Sequence, residues 1–421
     1  MSSQRVEWVD TLRGIGILIV VYGHNQIELG PSKYLELVMV PLFFFASGLV
    51  FRPGKYANYW AFARRRLQGL IIPYLIYSVI SWIFWIGLWV WLHYSQGQQR
   101  FGLLFVLLTP LVGIPYGAAA DKIMLYNLPL WFLTCLFCAD SFFYLLQRRI
   151  KSGAKLMAVM ILLSLVGFGI GKKLPIPLPW NADTALTVMV YYGAGYLFRQ
   201  RYGLSFDFAW WKKIVIGAAF FVASVYACDL NPQTHLYNNE IGKWWAFHLT
   251  SVASLVFFVM LAQLLARTWV ISQIRRNALI VLGALAALIV VFPYFHLDKT
   301  ALDFQNAPFV AAMVLLWCAG IVVLMLPLIG YFGRNTLPLL GMHVVLMMVF
   351  RGIAYGAYGI DSARKDLHIT LWALYWGTGI VLLTLPLIWL FNRYVPWAVG
   401  RLPGKKVAPP KPAALPDVPA T

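Results

Sequence analysis

The stretch RVEWVDTLRGIGILIVVYGHNQIE, residues 5–28, decides how the chain is read. It opens on charged residues, runs apolar from Ile15 to Val21, and then meets His24. Arg13 and His24 stand eleven residues apart. On a helix that is about three turns, so both fall on one face, roughly 16 Å apart along the axis. Asp10 lies one turn before Arg13 and Glu28 one turn after His24, near the same face. A polar stripe on an apolar helix is costly in lipid and is expected to face a bundle interior or a water-filled cavity.

The composition supports a membrane setting. The chain has 421 residues, of which 61% are hydrophobic and 12% charged. Its mean hydropathy is +0.72. Soluble domains carry about 25% charged residues. Half that share, with repeated apolar runs of membrane-spanning length, predicts an all-α, polytopic transmembrane bundle embedded in the lipid bilayer. The runs are continuous rather than alternating, which excludes an outer-membrane barrel. The net charge of +19 is read as cytoplasmic loop charge. No nucleic-acid-binding motif accompanies it, so no nucleic acid partner is expected. Cys135 and Cys138 have a C-x-x-C spacing, but they sit in the apolar run WFLTCLFCADSFF. Buried small residues are the favoured reading, with metal or redox chemistry the minor alternative. The N-terminal stretch reads as a retained signal-anchor helix, because charged residues precede it and no small-residue cleavage site follows.

Apolar spans are expected at 14–29, 34–51, 67–92, 125–146, 156–171, 184–198, 214–228, 246–266, 278–291, 308–329, 336–355 and 369–391. The piece 101–116 is short and carries Pro110 and Pro115, which suits a re-entrant or lateral segment. If it does not cross, the basic clusters at 52–66, 148–155, 199–213, 267–276, 334 and 393–406 fall on one side. That gives twelve crossings with both termini cytoplasmic, or ten if 156–171 and 184–198 form a hairpin that does not cross. Lys172 and Lys173 fall on the outer side, against the rule. The membrane domain is expected over 1–400, and the Pro/Ala-rich tail 401–421 as a disordered cytoplasmic segment. The matched broken helices of an inverted-repeat transporter are not seen.

Several side chains are candidates for chemistry. His24 is either a packed, hydrogen-bonded histidine or a functional one. The shared face with Arg13 and Glu28 favours function, as do Gly14 and Gly16, which let a neighbour or ligand approach. Glu28 can hold the imidazole in one tautomer or lie at the outer interface. Arg13 is either an anchor paired to Asp10 or a forked cationic contact for a phosphate. Arg64, Arg65 and Arg66 extend that basic surface or simply obey the positive-inside rule. In VPLFFFASGLVF, residues 40–51, Pro41 is expected to bend the helix, and Ser47 and Gly48 offer a small-residue surface. Trp131 reads as an aromatic-belt residue, Asp140 as structural, and His248 as interfacial. In GYFGRNTLPLLGMHVV, residues 330–345, a turn is expected at 333–335. Asn335 or Thr336 caps the next helix, and His343 lies two turns further in.

Four of these blocks, in order, resemble the acyltransferase-3 family of membrane O-acyltransferases, its fucose 4-O-acetylase-like branch in particular. They are Asp10-Thr-Leu-Arg13-Gly14 with His24; Pro41-Leu-Phe-Phe-Phe with Ser47-Gly48; Leu130-Trp131-Phe132-Leu133; and Gly333-Arg-Asn335-Thr336-Leu337 with His343. The likeness is weak between about 150 and 330. The resemblance implies transfer of an acyl group, usually acetyl, from cytoplasmic acyl-CoA to a carbohydrate hydroxyl, with Arg13 and His24 as the essential pair. Two positions depart from the branch. Met39-Val40-Pro41 lacks its histidine, and Gln68 and Gly69 stand where a second arginine is common. The resemblance therefore does not single out one of Arg64 to Arg66. No SGNH-type hydrolase domain follows the last span, so the membrane domain is expected to complete the transfer or hand the acyl group to a separate protein.

These readings combine into one expectation for the bacterial inner membrane. Acetyl-CoA, the donor co-substrate, places its phosphates near Arg13, Arg64, Arg65 and Arg66. Its acyl end reaches His24, which acts as general base or transient acyl carrier. His343 bonds the thioester or completes a relay. Asp10, Glu28 and Asn335 support the site. No metal is expected, because His24 and His343 lack further ligands. The acceptor is a surface or exported polysaccharide or its lipid-linked precursor, with a polysaccharide synthesis or export complex as partner. The rivals are a glycolipid or polysaccharide transporter or flippase without acyl transfer, and a scaffold in an export complex.

Overall fold

A computed structural model of the chain describes residues 6–24, 31–96, 102–118, 124, 126–204, 206–231, 234–266, 326, 328–358 and 367–401. The expected span 278–291, nearly all of 308–329, Glu28 and the tail from 402 lie outside the described residues. The helices are α1 (Glu7–His24), α2 (Pro31–Val50), α3 (Tyr59–Arg66), α4 (Ile72–Gln96), α5 (Leu103–Tyr116), α6 (Trp131–Arg149), α7 (Gly153–Lys173), α8 (Ala182–Tyr202), α9 (Trp210–Asp229), α10 (Trp244–Leu265), α11 (Leu328–Arg334), α12 (Thr336–Tyr358) and α13 (Leu367–Tyr394). Among the described residues there is no strand, only an isolated bridge between His235 and Glu240.

The bundle is built around α1. This helix packs against α2, α10, α12 and α13. Around that inner group, α8 lies on α2, α6 and α7 lie on α8, α9 lies on α10, and α4 lies on α12. Small residues set the closest approaches. A Cβ on Gly14 would run into the Ile329 carbonyl, and one on Gly333 into the Asp10 carbonyl, so α1 and α11 touch backbone to backbone. Gly48 and Gly195 do the same for α2 and α8, against the carbonyls of Tyr192 and Phe45. With no hydrophobic drive between helices in lipid, this close packing is what holds such a bundle. The glycines of α1 thus admit neighbouring helices, Gly14 facing α11 and Gly16 facing Leu42 and Phe43 of α2.

Among the described residues five helical segments are long and apolar enough to cross a membrane, and a sixth qualifies if the pair α11–α12, bent by 96°, is one span. They are Tyr59–Leu88, Leu128–Arg149, Gly153–Lys173, Trp210–Asp229 and Trp244–Leu265. Helix α1 falls short of that measure because Glu7, Asp10 and Arg13 interrupt its apolarity. Helix α6 is central, with 67% of its span buried, whereas α7 and α9 bury 22% and 28% and turn apolar side chains outward, as lipid-facing helices do. The expected short stretches 156–171 and 184–198 are both 21-residue helices, α7 and α8, that continue through their polar ends. The 101–116 piece is the 14-residue helix α5, packed on α4 and running through Pro110 and Pro115. Pro41 likewise lies inside α2 without ending it.

Candidate active site

Stripes from four helices line a cavity of about 330 Å³. Arg13, Ile17, Val20, Gly23 and His24 come from α1, and Met39, Val40, Phe43 and Ser47 from α2. Both sets repeat at three or four residues, as one helix face requires. Helix α6 adds Trp131, Phe132, Leu133 and Leu136, and α12 adds Thr336, Leu337 and Leu340. The wall is apolar along most of its length. Arg13 marks one end and His24 the other, as their separation along α1 dictates, and Arg66 of α3 lies near Arg13.

A second cavity of about 410 Å³ shares Arg13, Arg66 and Thr336 with the first, so the two meet at those residues. Its wall carries Asp10, Arg52, Lys55, Arg199 and Arg334. A strongly basic mouth therefore opens into an apolar chamber.

Backbone contacts fix both histidines. His24 Nδ1 lies 2.8 Å from the Val20 carbonyl, one turn earlier. A carbonyl only accepts, so Nδ1 carries the hydrogen and Nε2 of the neutral ring carries the lone pair. His343 Nδ1 sits 2.9 Å from the carbonyls of both Leu339 and Leu340, which gives the same tautomer. The two rings are 5.2 Å apart between centroids and inclined at 48°. His343 is buried, does not line the cavity, and its Nε2 has no partner among the described residues.

The arginines are held differently. Arg66 Nε lies 3.0 Å from Asp140 Oδ2, and Nη2 donates to Oδ1 at 3.1 Å. The Asp140 side chain is fully buried, so α6 holds Arg66 at the junction of the two cavities. The Tyr192 hydroxyl lies beside this pair. A π-helical turn at Leu67–Ile71 follows Arg66 directly, a distortion frequent at functional sites. Arg13 Nη2 donates to the Ala46 carbonyl of α2 at 3.4 Å. The Asp10 carboxylate faces Arg334, at 3.8 Å.

The structure thus brings Arg13, His24, His343, Arg66 and Asp10 together. Arg64 and Arg65 are exposed on α3 and line neither cavity. Asn335 does not cap α12. Its Nδ2 donates back to the Tyr331 carbonyl of α11 while its Oδ1 accepts from Asn392, which fixes the bend between α11 and α12. Trp131 is 7% exposed and faces the cavity rather than a membrane belt. His248 is partly exposed, one turn from the start of α10. It bonds the Tyr191 hydroxyl at 2.6 Å and Ser164 at 3.0 Å, between α7, α8 and α10. Arg199, Asp140 and the turn bearing Leu236 and Tyr237 were not read as site residues. For Asp140 a signal existed, because it lies one turn beyond Leu136 on the cavity face of α6.

Among the described residues no group of three or more His, Cys, Asp or Glu could hold a metal ion. Residues 6–282 match the acyltransferase-3 family model, an acyltransferase domain. The chain belongs to this family. The match takes in Arg13, His24, Arg66 and Asp140 and stops before α12, so His343 is placed beside His24 by the fold alone. Comparison with curated proteins and with solved structures gave no match. A membrane acyltransferase must hold an acyl donor and an acceptor at one point. The cavity offers a basic mouth, an apolar passage and a lone-pair nitrogen at its end.

Proposed function

We propose that this acyltransferase is an O-acetyltransferase of the bacterial inner membrane, close to the fucose 4-O-acetylase-like branch. It moves an acetyl group from cytoplasmic acetyl-CoA to a hydroxyl of a surface or exported polysaccharide, or of its lipid-linked precursor. The observation that carries this is the junction at Arg13 and Arg66 between the basic mouth and the apolar chamber that ends at His24. The donor has the same two-part chemistry, a phosphorylated nucleotide and a neutral arm ending in a thioester. That arm spans about 15 Å when extended, at the per-bond advance of an extended chain. The rise from Arg13 to His24 is roughly 16 Å. Phosphates at Arg13 therefore put the thioester beside His24.

His24 Nε2 then takes the proton of the acceptor hydroxyl as its oxygen attacks the thioester carbonyl. The tetrahedral intermediate collapses, the carbon–sulfur bond breaks, and the departing thiolate takes the proton back from the imidazolium. His343, buried behind His24, is a positioning residue that keeps the ring aligned. The chamber wall also carries Trp131, Leu128, Pro129 and Tyr237. Flat rings with polar edges suit a sugar. With the basic clusters and both termini in the cytoplasm, the acceptor approaches from the far side of the membrane.

The test is the acetyl content of the cell's glycan, read by NMR. His24→Ala abolishes acetylation while the protein stays in the membrane. Normal acetyl content in that variant overturns the proposal.

A further inference from the structure

A third cavity, of about 740 Å³, opens beside the basic mouth. It shares Phe51, Arg52, Lys55 and Arg199 with the mouth and adds Tyr196 and Gln200. Elsewhere at the mouth the cations face acids: Arg66 is paired with Asp140, and Arg334 faces Asp10. Here, among the described residues, no carboxylate lines the wall, and Arg52, Lys55 and Arg199 form no ion pair. Arg199 is held in place, since its Nη1 donates to the carbonyls of Leu49 and Phe51 at 3.2 and 3.3 Å. One nitrogen is used for anchoring, which leaves the other donors of the fork without a partner among the described residues. The positive-inside rule explains why cations sit at this face of the membrane. It does not explain why three of them surround a hollow from which acids are missing. Converging cations with no acid among them attract an anion, and arginine forks suit phosphate oxygens.

We infer that this side cavity is a phosphomonoester site that receives the 3′-phosphate of the donor's nucleotide. The inference rests on the acyl-CoA reading above. With the diphosphate at the junction of Arg13 and Arg66, the ribose lies in the mouth. The 3′-phosphate is carried on that same ribose, so it must enter a hollow no more than a sugar's width away. The cavity that shares Arg52, Lys55 and Arg199 with the mouth is such a hollow.

The experiment is calorimetric titration of the full-length protein in detergent with CoA and with 3′-dephospho-CoA. Charge-assisted bonds to the phosphate should make CoA bind about tenfold tighter or more. Arg52 and Lys55 are exposed and outside the packed core, so Arg52→Gln and Lys55→Gln keep the fold. In the double variant the ratio of the two Kd values should fall toward one. Equal Kd values for the wild type overturn the phosphate site and leave the acyl-CoA reading standing. A preference for CoA that survives in the double variant overturns its placement. Binding of neither compound overturns both.

Discussion

The imidazoles of His24 and His343 lie 5.2 Å apart, although they come from opposite ends of the chain, and each is pinned through Nδ1 to a carbonyl of its own helix. One ring lines the cavity and the other is buried behind it. This asymmetry predicts unequal effects. His24→Ala should lower transfer by about 10²- to 10⁴-fold, the usual contribution of a positioned general base. His343→Ala should lower kcat by a smaller factor and leave the KM for acetyl-CoA in place. A rise in KM without change in kcat would show that His343 touches the donor instead.

Arg13→Lys keeps a charge at the mouth but loses the fork. The KM for acetyl-CoA should rise about tenfold, the worth of one charge-assisted bond, with kcat little changed. An unchanged KM would make Arg13 a membrane anchor only.

Asp140→Asn removes the counter-charge of Arg66. A partly buried guanidinium left without its partner should cost about 3 kcal/mol of stability. Thermal unfolding in detergent should show the loss, and the double variant Asp140→Asn with Arg66→Gln should recover part of it. A single variant as stable as wild type would mean that the ion pair does not hold Arg66.

Gly48→Val should separate α2 from α8, because its side chain would meet the Tyr192 carbonyl. Overpacking of this kind costs about 1–3 kcal/mol, and the yield of monodisperse protein should drop. Gly169→Ala, on α7 with open space around it, should keep the yield or raise it. Equal yields from the two variants would remove the close α2–α8 contact from the account.

Much of this was legible along single helices. The spacing of Arg13 and His24 gave the cavity face of α1, because helical periodicity depends only on local sequence. His343 could be placed two turns into α12 for the same reason. What failed to show were relations between helices. Arg199 read as loop charge, since nothing local reveals that Gly48 and Gly195 bring α8 against α2 and set that arginine at the mouth. Asp140 read as structural, since its partner Arg66 lies on another helix. Asn335 read as a cap for the helix that follows, yet the sharp bend turns its side chain back to α11. Trp131 read as a belt residue because an aromatic at a span's end has the same sequence signature whether it faces lipid or a cavity.

The central claim is acyl transfer at the His24 end of the passage, and labelled acetyl-CoA tests it most directly. Membranes holding the protein are incubated with radiolabelled acetyl-CoA and the cell's glycan, and label in the glycan is counted. Label transferred by wild-type membranes and lost with His24→Ala is the predicted result. Wild-type membranes that consume no acetyl-CoA, as a flippase would not, or a His24→Ala variant that transfers as much label as wild type, would contradict it.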